Sequence, residues 1–383
     1  MKLKMAIFVL IILTIYSSIS YYIFIRGLQA ISESPVSKKW FIIVFIFLTL
    51  SPIIGKILEN VWISQLSEIF VWIGSFWIAV FIYSFIIIVF LDLTRILNYF
   101  FSIYPSFITA NYAKTKFLTA CIAFGIIVFT LIIGYINAIN PQIKTLNINI
   151  NKKVEGVKSI NIVALSDIHL GTTINKQRTI TLINQINKLK PDIVLIAGDI
   201  IDDNMELVKH YELLKYFKEI KSKHGVYAVT GNHEYISRAY KEAEYFKKNN
   251  IILIQDSVIE INNNLYIVGR EDIMFDRNGK KRKTLKELLL NVDINKPIIL
   301  LDHEPYKLDD AVNNNIDFQL SGHTHSGQFW PINYITNAIF EINYGYKKKK
   351  ETHFYISSGY GTSGPPIRIG NRPEIINIKL SFE

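Results

Sequence analysis

Five short stretches carry side chains that could do chemistry together: "SDIHLG" at 166–171, "GDIID" at 198–202, "GNHE" at 231–234, "DHEP" at 302–305 and "GHTHSG" at 322–327. The last is the most telling. His323 and His325 stand two residues apart, and in an extended segment such positions face the same side. Gly322 and Gly327 flank them and permit backbone turns that other residues resist. A lone histidine is more often a hydrogen-bonded core or surface residue than a ligand. Here five of the chain's eight histidines, His169, His233, His303, His323 and His325, fall in the five stretches.

The set has a definite chemistry. The carboxylates of Asp167 and Asp199, the amide of Asn232 and several imidazoles suit borderline divalent ions such as Mn²⁺, Fe²⁺ or Zn²⁺. No thiolate is among them, which excludes a structural cysteine-type zinc site. The ligands are too many for one ion and enough for two if one carboxylate bridges. Asp199 is the natural bridge, because small Gly198 before it allows close approach. Two ions roughly 3.5–4 Å apart can share a hydroxide and clamp the oxygens of an in-line phosphoryl displacement.

Such side chains need rigid elements behind them. "INIVALSD", "DIVLIAGD", "GVYAVTGN", "PIILLDHEP" and "DFQLSGH" are apolar runs rich in β-branched residues, and they predict buried strands. Each ends in one of the candidate ligands. Between them, "NKQRTITLINQINKLK" has Ile180, Ile183 and Ile186 at helical spacing and is stopped by Pro191. "MELVKHYELLKYFKEI" predicts a second helix. This alternation predicts β-α-β topology with helices outside. "IILIQDSVIEINNNLYIVG" breaks the pattern and predicts antiparallel strands. In open α/β sheets, sites form beyond the carboxyl ends of strands, where these residues fall.

In order and spacing the five stretches resemble the calcineurin-like metallophosphoesterases: D-x-H, GDxxD, GNH[ED], a lone H and GHxH, over about residues 155–383. The resemblance implies an α/β/β/α sandwich with a dinuclear site. It implies one metal held by Asp167, His169, Asp199 and His325, and a second held by Asp199, Asn232, His303 and His323. His233 would then stand behind the ligands and protonate the leaving oxygen or bind phosphate. The segment "GYGTSGPPIRIGNRPEI", together with the apolar first third, resembles a bacterial membrane-attached branch. Some members of that branch cleave a pyrophosphate in nucleotide-linked lipids such as UDP-diacylglucosamine, so a phosphorylated, lipid-linked substrate is one expectation. Arg368 and Arg372 are candidates to bind its anionic headgroup.

The first third is of another kind. Four apolar runs, 5–25, 40–55, 69–91 and 117–136, each approach the roughly 20 residues that cross a bilayer as a helix. Pro52 is expected to kink the second. The first begins after Lys2 and Lys4 but lacks a clean small-residue cleavage site, so a retained helix is expected. Residues 1–140 thus form a transmembrane region, and a catalytic domain follows over 145–383, joined by a linker at Asn137–Lys144. Arg26, Lys38, Lys39, Arg95, Lys114 and Lys116 flank the spans on one side, against Lys2, Lys4, Lys56 and Lys144 on the other. This bias places both termini, and the catalytic domain, outside the cytoplasm of a bacterial cell membrane. The segment "LTRILNYFFSIYPSF" between the third and fourth spans is expected to lie in the interface. The only cysteine, Cys121, lies within the fourth run and is silent about redox compartment.

Net charge is +10, shared equally between residues 1–140 and the remainder. This excess suits a domain resting on anionic lipid and lacks the basic helices and modules of nucleic-acid binders. "KKKK" at 347–350 reads as a solvated hairpin tip. Three functions compete. A membrane-bound phosphohydrolase accounts for every stretch. A receptor or scaffold with a degenerate domain should have lost ligands, and none is missing. A transporter needs polar groups inside the membrane, whereas Glu68 and Asp92 lie at run ends and no paired intramembrane charges are expected.

Overall fold

The structure, a computed structural model, describes residues 2–31, 35–277 and 279–383. The chain divides into two compact units, residues 1–133 and 134–383.

The first unit is helical: α1 (Lys2–Ala30), α2 (Pro35–Val61), α3 (Gln65–Phe101), a short α4 (Ser106–Ala110) and α5 (Tyr112–Ile139). The four long helices are each long and apolar enough to cross a membrane. They present Ile, Phe, Leu and Val outward, as helices solvated by hydrocarbon do. Pro52 lies inside α2. There α2 meets α3 so closely that a Cβ on Gly74 would sit 2.6 Å from the Pro52 Cα. Ser64 and Ser67 form a reciprocal capping box at the start of α3, which satisfies two otherwise orphaned donors.

Two details add to the sequence reading. "LTRILNYFFSIYPSF" is largely helical: α3 runs on through it to Phe101, and Ser106 and Phe107 belong to α4. At the span ends, charges pair. Asp92 of α3 bonds Arg26 of α1 at 2.5 Å and Arg95, one turn on, at 2.7 Å.

The second unit holds two six-stranded sheets. The strands are β1 (Gln142–Ile150), β2 (Ser159–Leu165), β3 (Ile193–Ala197), β4 (Val226–Val229), β5 (Ile252–Leu253), β6 (Ser257–Ile261), β7 (Leu265–Gly269), β8 (Ile298–Leu301), β9 (Phe318–Ser321), β10 (Gly345–Lys349), β11 (Thr352–Ile356) and β12 (Glu374–Phe382). One sheet runs β1-β12-β2-β3-β4-β5 and the other β10-β11-β9-β8-β7-β6. β2, β3, β4 and β5 are parallel, as are β7, β8, β9 and β11. β6 and β7 form the expected antiparallel hairpin. Parallel pairing brings the carboxyl ends of β2, β3 and β4 to one edge, with Leu165 opposite Ile196 and Ala197 opposite Val229.

The core lies between the sheets. Ile162, Leu195 and Val229 from the first pack with Ile299, Leu320 and Tyr355 from the second. Full burial of such a side chain is worth about 1.5–3 kcal/mol, so the sandwich rests on these inward faces. α6 (Lys176–Lys188) covers one side with Leu182, Ile183 and Ile186 buried, and Asn175 caps its start.

Two local expectations are corrected. The expected linker Asn137–Lys144 is largely structured: α5 ends at Ile139 and β1 begins at Gln142. The second helix is broken. α7 (Met205–His210) gives way at Glu212, which has a left-handed backbone, to a 3₁₀ turn over Leu213–Glu219. "KKKK" does lie at a solvated hairpin tip: Lys347–Lys349 end β10, Lys350 enters the turn to β11, and Lys347, Lys348 and Lys350 are exposed; Lys348 and Lys349 bond Glu351, Asp309 and Glu341.

Candidate metal centre

Every candidate ligand named from the sequence arrives at one edge of the sandwich. Asp167 and His169 follow β2, Asp199 follows β3 and Asn232 opens α8 (Asn232–Ile236) after β4; His303 follows β8, and His323 and His325 follow β9. The loops are tied to one another: the N–H of His169 donates to Asp199 O, that of Asp167 to Gly198 O and that of Gly322 to His303 O.

The backbone is strained where the candidates sit. Asp167, His169, Asp199, His323 and His325 all have left-handed backbone, with φ between 47° and 70°. Each such residue costs of order 1–3 kcal/mol and persists only where its surroundings impose it. Two glycines make room. Gly198 has φ of 82°, and a Cβ there would lie 2.6 Å from His303 Nδ1. A Cβ on Gly322 would fall on the side chains of Asp167 and Ser166.

Four overlapping groups of donor atoms result, and two of them hold only ligands named from the sequence. Asp167, His169 and His325 form the first of these, and Asp199, His303 and His323 the second; His233 joins His169 and Asp199 in one of the others, and Asp202 and Asp203 in the last. In the first, the Nε2 atoms of His169 and His325 lie 3.1 Å apart, and Asp167 Oδ1 is 3.5 Å from His325 Nε2. In the second, Asn232 Oδ1 lies 2.9 Å from His323 Nδ1 and 3.3 Å from His303 Nε2. Asp199 stands between the groups: its Oδ2 is 3.2 Å from His303 Nε2 and 3.9 Å from His169 Nε2, while its Oδ1 accepts the N–H of His233 at 2.8 Å.

The tautomers explain how the donors point. His303 Nδ1 lies 2.7 Å from Ala197 O; a carbonyl only accepts, so Nδ1 carries a proton and Nε2 turns toward the site. His169 Nδ1 is 3.3 Å from Asp202 Oδ1, which orients that ring likewise. Outer partners of this kind fix metal-binding imidazoles. Carboxylate oxygens, an amide oxygen and ring nitrogens then converge, an arrangement suited to a cation. Ligand atoms about 2.0–2.2 Å from a common ion are separated by roughly 3–3.5 Å, close to most of the spacings found. The donor set, oxygen and imidazole nitrogen without sulfur, fits a borderline divalent ion.

A profile of calcineurin-like phosphoesterases matches residues 160–327. An uncharacterized metallophosphoesterase of Aquifex aeolicus is 34% identical over 224 residues, 58% of this chain and 85% of that protein. This chain belongs to the calcineurin-like metallophosphoesterases. An uncharacterized metallophosphoesterase of Helicobacter pylori is 30% identical over 63% of this chain and 64% of its own. A transmembrane protein with metallophosphoesterase domain from Danio rerio is 28% identical over 70% of this chain and 64% of its own. The chain thus spans just under two thirds of these two relatives.

Within the metallophosphoesterase domain, His233 lies beside the ligand groups. Its ring meets that of His169 edge-on at 4.6 Å, and its Nδ1 lies 3.0 Å from Asp203 Oδ1. Burial works against its charge. The bond to Asp203 and the nearby Asp199 and Asp202 carboxylates outweigh burial and push the imidazole up to about 10. Asp199 would be raised by burial, but His303 beside it holds it well below the usual carboxylate range. His323 is pushed down to about 3 by burial and by His303.

Three residues of the site were not singled out from the sequence. Asp202 and Asp203 face His169 and His233. Glu234 is completely buried and accepts the N–H groups of Asp199, Ile200, Ile201 and Gly231 at 2.7–2.9 Å. Burial and the Asp199 charge push its carboxyl up to about 7, while those N–H groups pull the other way. The signal for all three was present in "GDIIDD" and "GNHE", where acidic residues directly follow or flank candidate ligands.

Arg368 departs from its expected role. It is fully buried, not exposed to a headgroup. Its guanidinium donates to His325 O and Gly361 O and lies 3.1 Å from His325 Nδ1. Its backbone N–H bonds Gly134 O at the end of α5. Arg368 thus fixes the His325 loop from behind. Arg372 is exposed and its guanidinium donates to Asn140 O.

Proposed function

We propose that the protein is a membrane-bound, metal-dependent phosphohydrolase acting on a phosphoester or pyrophosphate in a lipid-linked substrate. The observation that carries this reading is the convergence of Asp167, His169 and His325, and of Asp199, Asn232, His303 and His323, around a shared Asp199. These residues would hold two divalent ions, Mn²⁺, Fe²⁺ or Zn²⁺. When bound, such ions polarise phosphoryl oxygens and lower the pKa of a water. Asp199 orients both groups. His303 and His169 keep their Nε2 atoms aimed inward through Ala197 O and Asp202. His233, its Nδ1 anchored on Asp203, holds a proton that it delivers to the leaving oxygen.

The lipid-linked substrate is supported by α9 (Ile332–Ile339), an element with no counterpart in the sequence reading. It begins five residues after the end of "GHTHSG" and buries none of its residues. Trp330, Tyr334, Ile335 and Ile339 are all exposed. Phe340 at its end packs against the His323 ring at 5.9 Å. An apolar helix face of this kind seeks a lipid interface. Only Asn140 and Pro141 separate α5 from β1, so the domain has no long tether. The six-to-four excess of basic residues supports a domain outside the cytoplasm of a bacterial membrane.

The test uses the full-length protein in detergent. After chelation, Mn²⁺ is added back and hydrolysis is followed on nucleotide-linked lipids, phospholipids and soluble phosphodiesters. Metal-dependent turnover is expected for all phosphodiesters tried, and fastest for a lipid substrate. Metal-independent turnover, or none on any phosphoester, defeats the reading.

A further inference from the structure

The helical unit contains a cavity of about 710 Å³, within the range of small-molecule sites. Its lining is of two kinds. Arg26, Arg95, Lys116 and Asp92 are its charged lining residues, and Trp77 and Phe45 belong to its apolar lining. Both Asp92 oxygens are engaged: Oδ2 accepts from Tyr22 and Arg26, each at 2.5 Å, and Oδ1 from Arg95 at 2.7 Å. Each guanidinium has five N–H donors, so one carboxylate leaves most of them for another acceptor. Among the described lining residues three cations face one anion, an excess of positive charge.

The depth of this cluster is informative. The apolar run Ile69–Leu91 has a rise of roughly 34 Å as helix, enough for a hydrocarbon core of about 30 Å. Asp92 follows it directly, which sets the charges at headgroup level. Trp77 lies fifteen residues back along α3, roughly 22 Å deeper. The cavity therefore runs from a cationic mouth at the headgroups to an apolar floor inside the membrane. That is the profile of a single amphiphile with an anionic head. Guanidinium groups bind phosphate with paired, charge-assisted bonds.

We propose that this cavity binds one anionic glycerophospholipid, with its phosphate on Arg26, Arg95 and Lys116 and an acyl chain running toward Phe45 and Trp77. The proposal is independent of the metal centre and of the phosphohydrolase reading, because every lining residue belongs to the helical unit.

The test takes the full-length protein, delipidated in neutral detergent, and titrates phosphatidylglycerol, phosphatidylcholine and glycerol phosphate. Binding is read by native mass spectrometry and by melting temperature. One phosphatidylglycerol per chain should bind saturably, with phosphatidylcholine and glycerol phosphate weaker by about tenfold or more. Lys116→Gln and Ala123→Trp should each weaken phosphatidylglycerol by about tenfold, the first by removing a cation and the second by filling the cavity. Lys116 lies outside the Asp92 cluster, so Lys116→Gln decides the matter if Ala123→Trp fails to fold. Equal binding of the two lipids, unsaturable uptake, or wild-type affinity in the folded variants would leave only bulk annular lipid and overturn the site. Glycerol phosphate binding as tightly as phosphatidylglycerol would overturn the lipid assignment in favour of a free phosphate.

Discussion

The Nε2 atoms of His169 and His325 face each other across 3.1 Å, although they lie 156 residues apart in sequence. Two imidazole nitrogens at that distance must share either a proton or a cation. Asp199 stands between this pair and the His303 group, so its loss should disturb both. Asp199→Ala is expected to lose at least one equivalent of bound metal and to cut phosphodiester turnover by at least about 10³-fold. Elemental analysis of the purified variant checks the first and a chromogenic phosphodiester assay the second. Wild-type metal content with wild-type rate would remove Asp199 from the centre.

His233 should separate chemistry from metal retention. Its Nδ1 is held by Asp203, which leaves the other nitrogen to give up a proton. His233→Asn is expected to keep its metal and lose about 10²–10⁴ in rate. The deficit should shrink for substrates with acidic leaving groups, which need no proton. A metal loss as large as that of Asp199→Ala would make His233 a ligand.

Glu234 should act through position alone. Its carboxylate collects four backbone N–H groups from the two loops that present Asp199 and Asn232. Glu234→Gln replaces one acceptor oxygen by a donor that faces other donors. The variant is expected to lose at least about 2 kcal/mol of stability by urea denaturation, with a rise in the metal concentration needed for half activity. Full metal affinity and an unchanged denaturation midpoint would show that the loops hold themselves.

The ligands were legible in the sequence because each ends a strand. A buried strand announces itself by its apolar run, and a polar residue just beyond it has few structural uses. The supporting residues were less legible. Glu234 looked like part of a motif, and only the fold shows that its oxygens reach loops 33–35 residues away. Arg368, in a loop rich in Gly and Pro, reads as exposed; the carbonyls of Gly359, Gly361 and His325 enclose it. The Arg26–Asp92 pair joins residues 66 apart on different helices, and no local pattern encodes it. α9 is short: Asn333, Thr336 and Asn337 mark a polar face at helical spacing, but over only two turns.

Protons and metal should compete for the site, and the sign can be worked out. His233 is pushed up to about 10 in the fold, above the usual value of about 6.5. The folded protein therefore binds this proton more tightly than the unfolded chain. The resulting stability is fully present below about pH 6.5 and is lost as pH rises through about 10. In the chelated protein the melting temperature should fall between about pH 7 and pH 10, and His233→Asn should flatten that fall. Metal loading should flatten it too, because cations held by the neighbouring ligands oppose the charge on the His233 ring and weaken its hold on the proton. A melting temperature in chelator that does not change over this interval would contradict the assignment.

The exposed face of α9 offers the sharpest test of a lipid-borne substrate. Tyr334, Ile335 and Ile339 have more than half of their surface in solvent, at 65%, 55% and 58%. Exposed apolar side chains are common one at a time; a cluster on one short helix beside a catalytic loop calls for a partner. The helix start is locked to that loop, since a side chain at Gly327 would collide with the Asn333 backbone. Its end is locked through Phe340 and the His323 ring. The variant Tyr334→Ser, Ile335→Ser, Ile339→Ser removes the apolar face and touches no candidate ligand. If α9 engages the interface that carries the substrate, hydrolysis of a lipid-linked pyrophosphate in vesicles should drop by about tenfold or more. Hydrolysis of a soluble phosphodiester by the same preparation should stay within about twofold of wild type. Equal losses on both substrates would mean that the helix only props up the His323 loop. No loss on either would mean that the membrane meets the domain elsewhere.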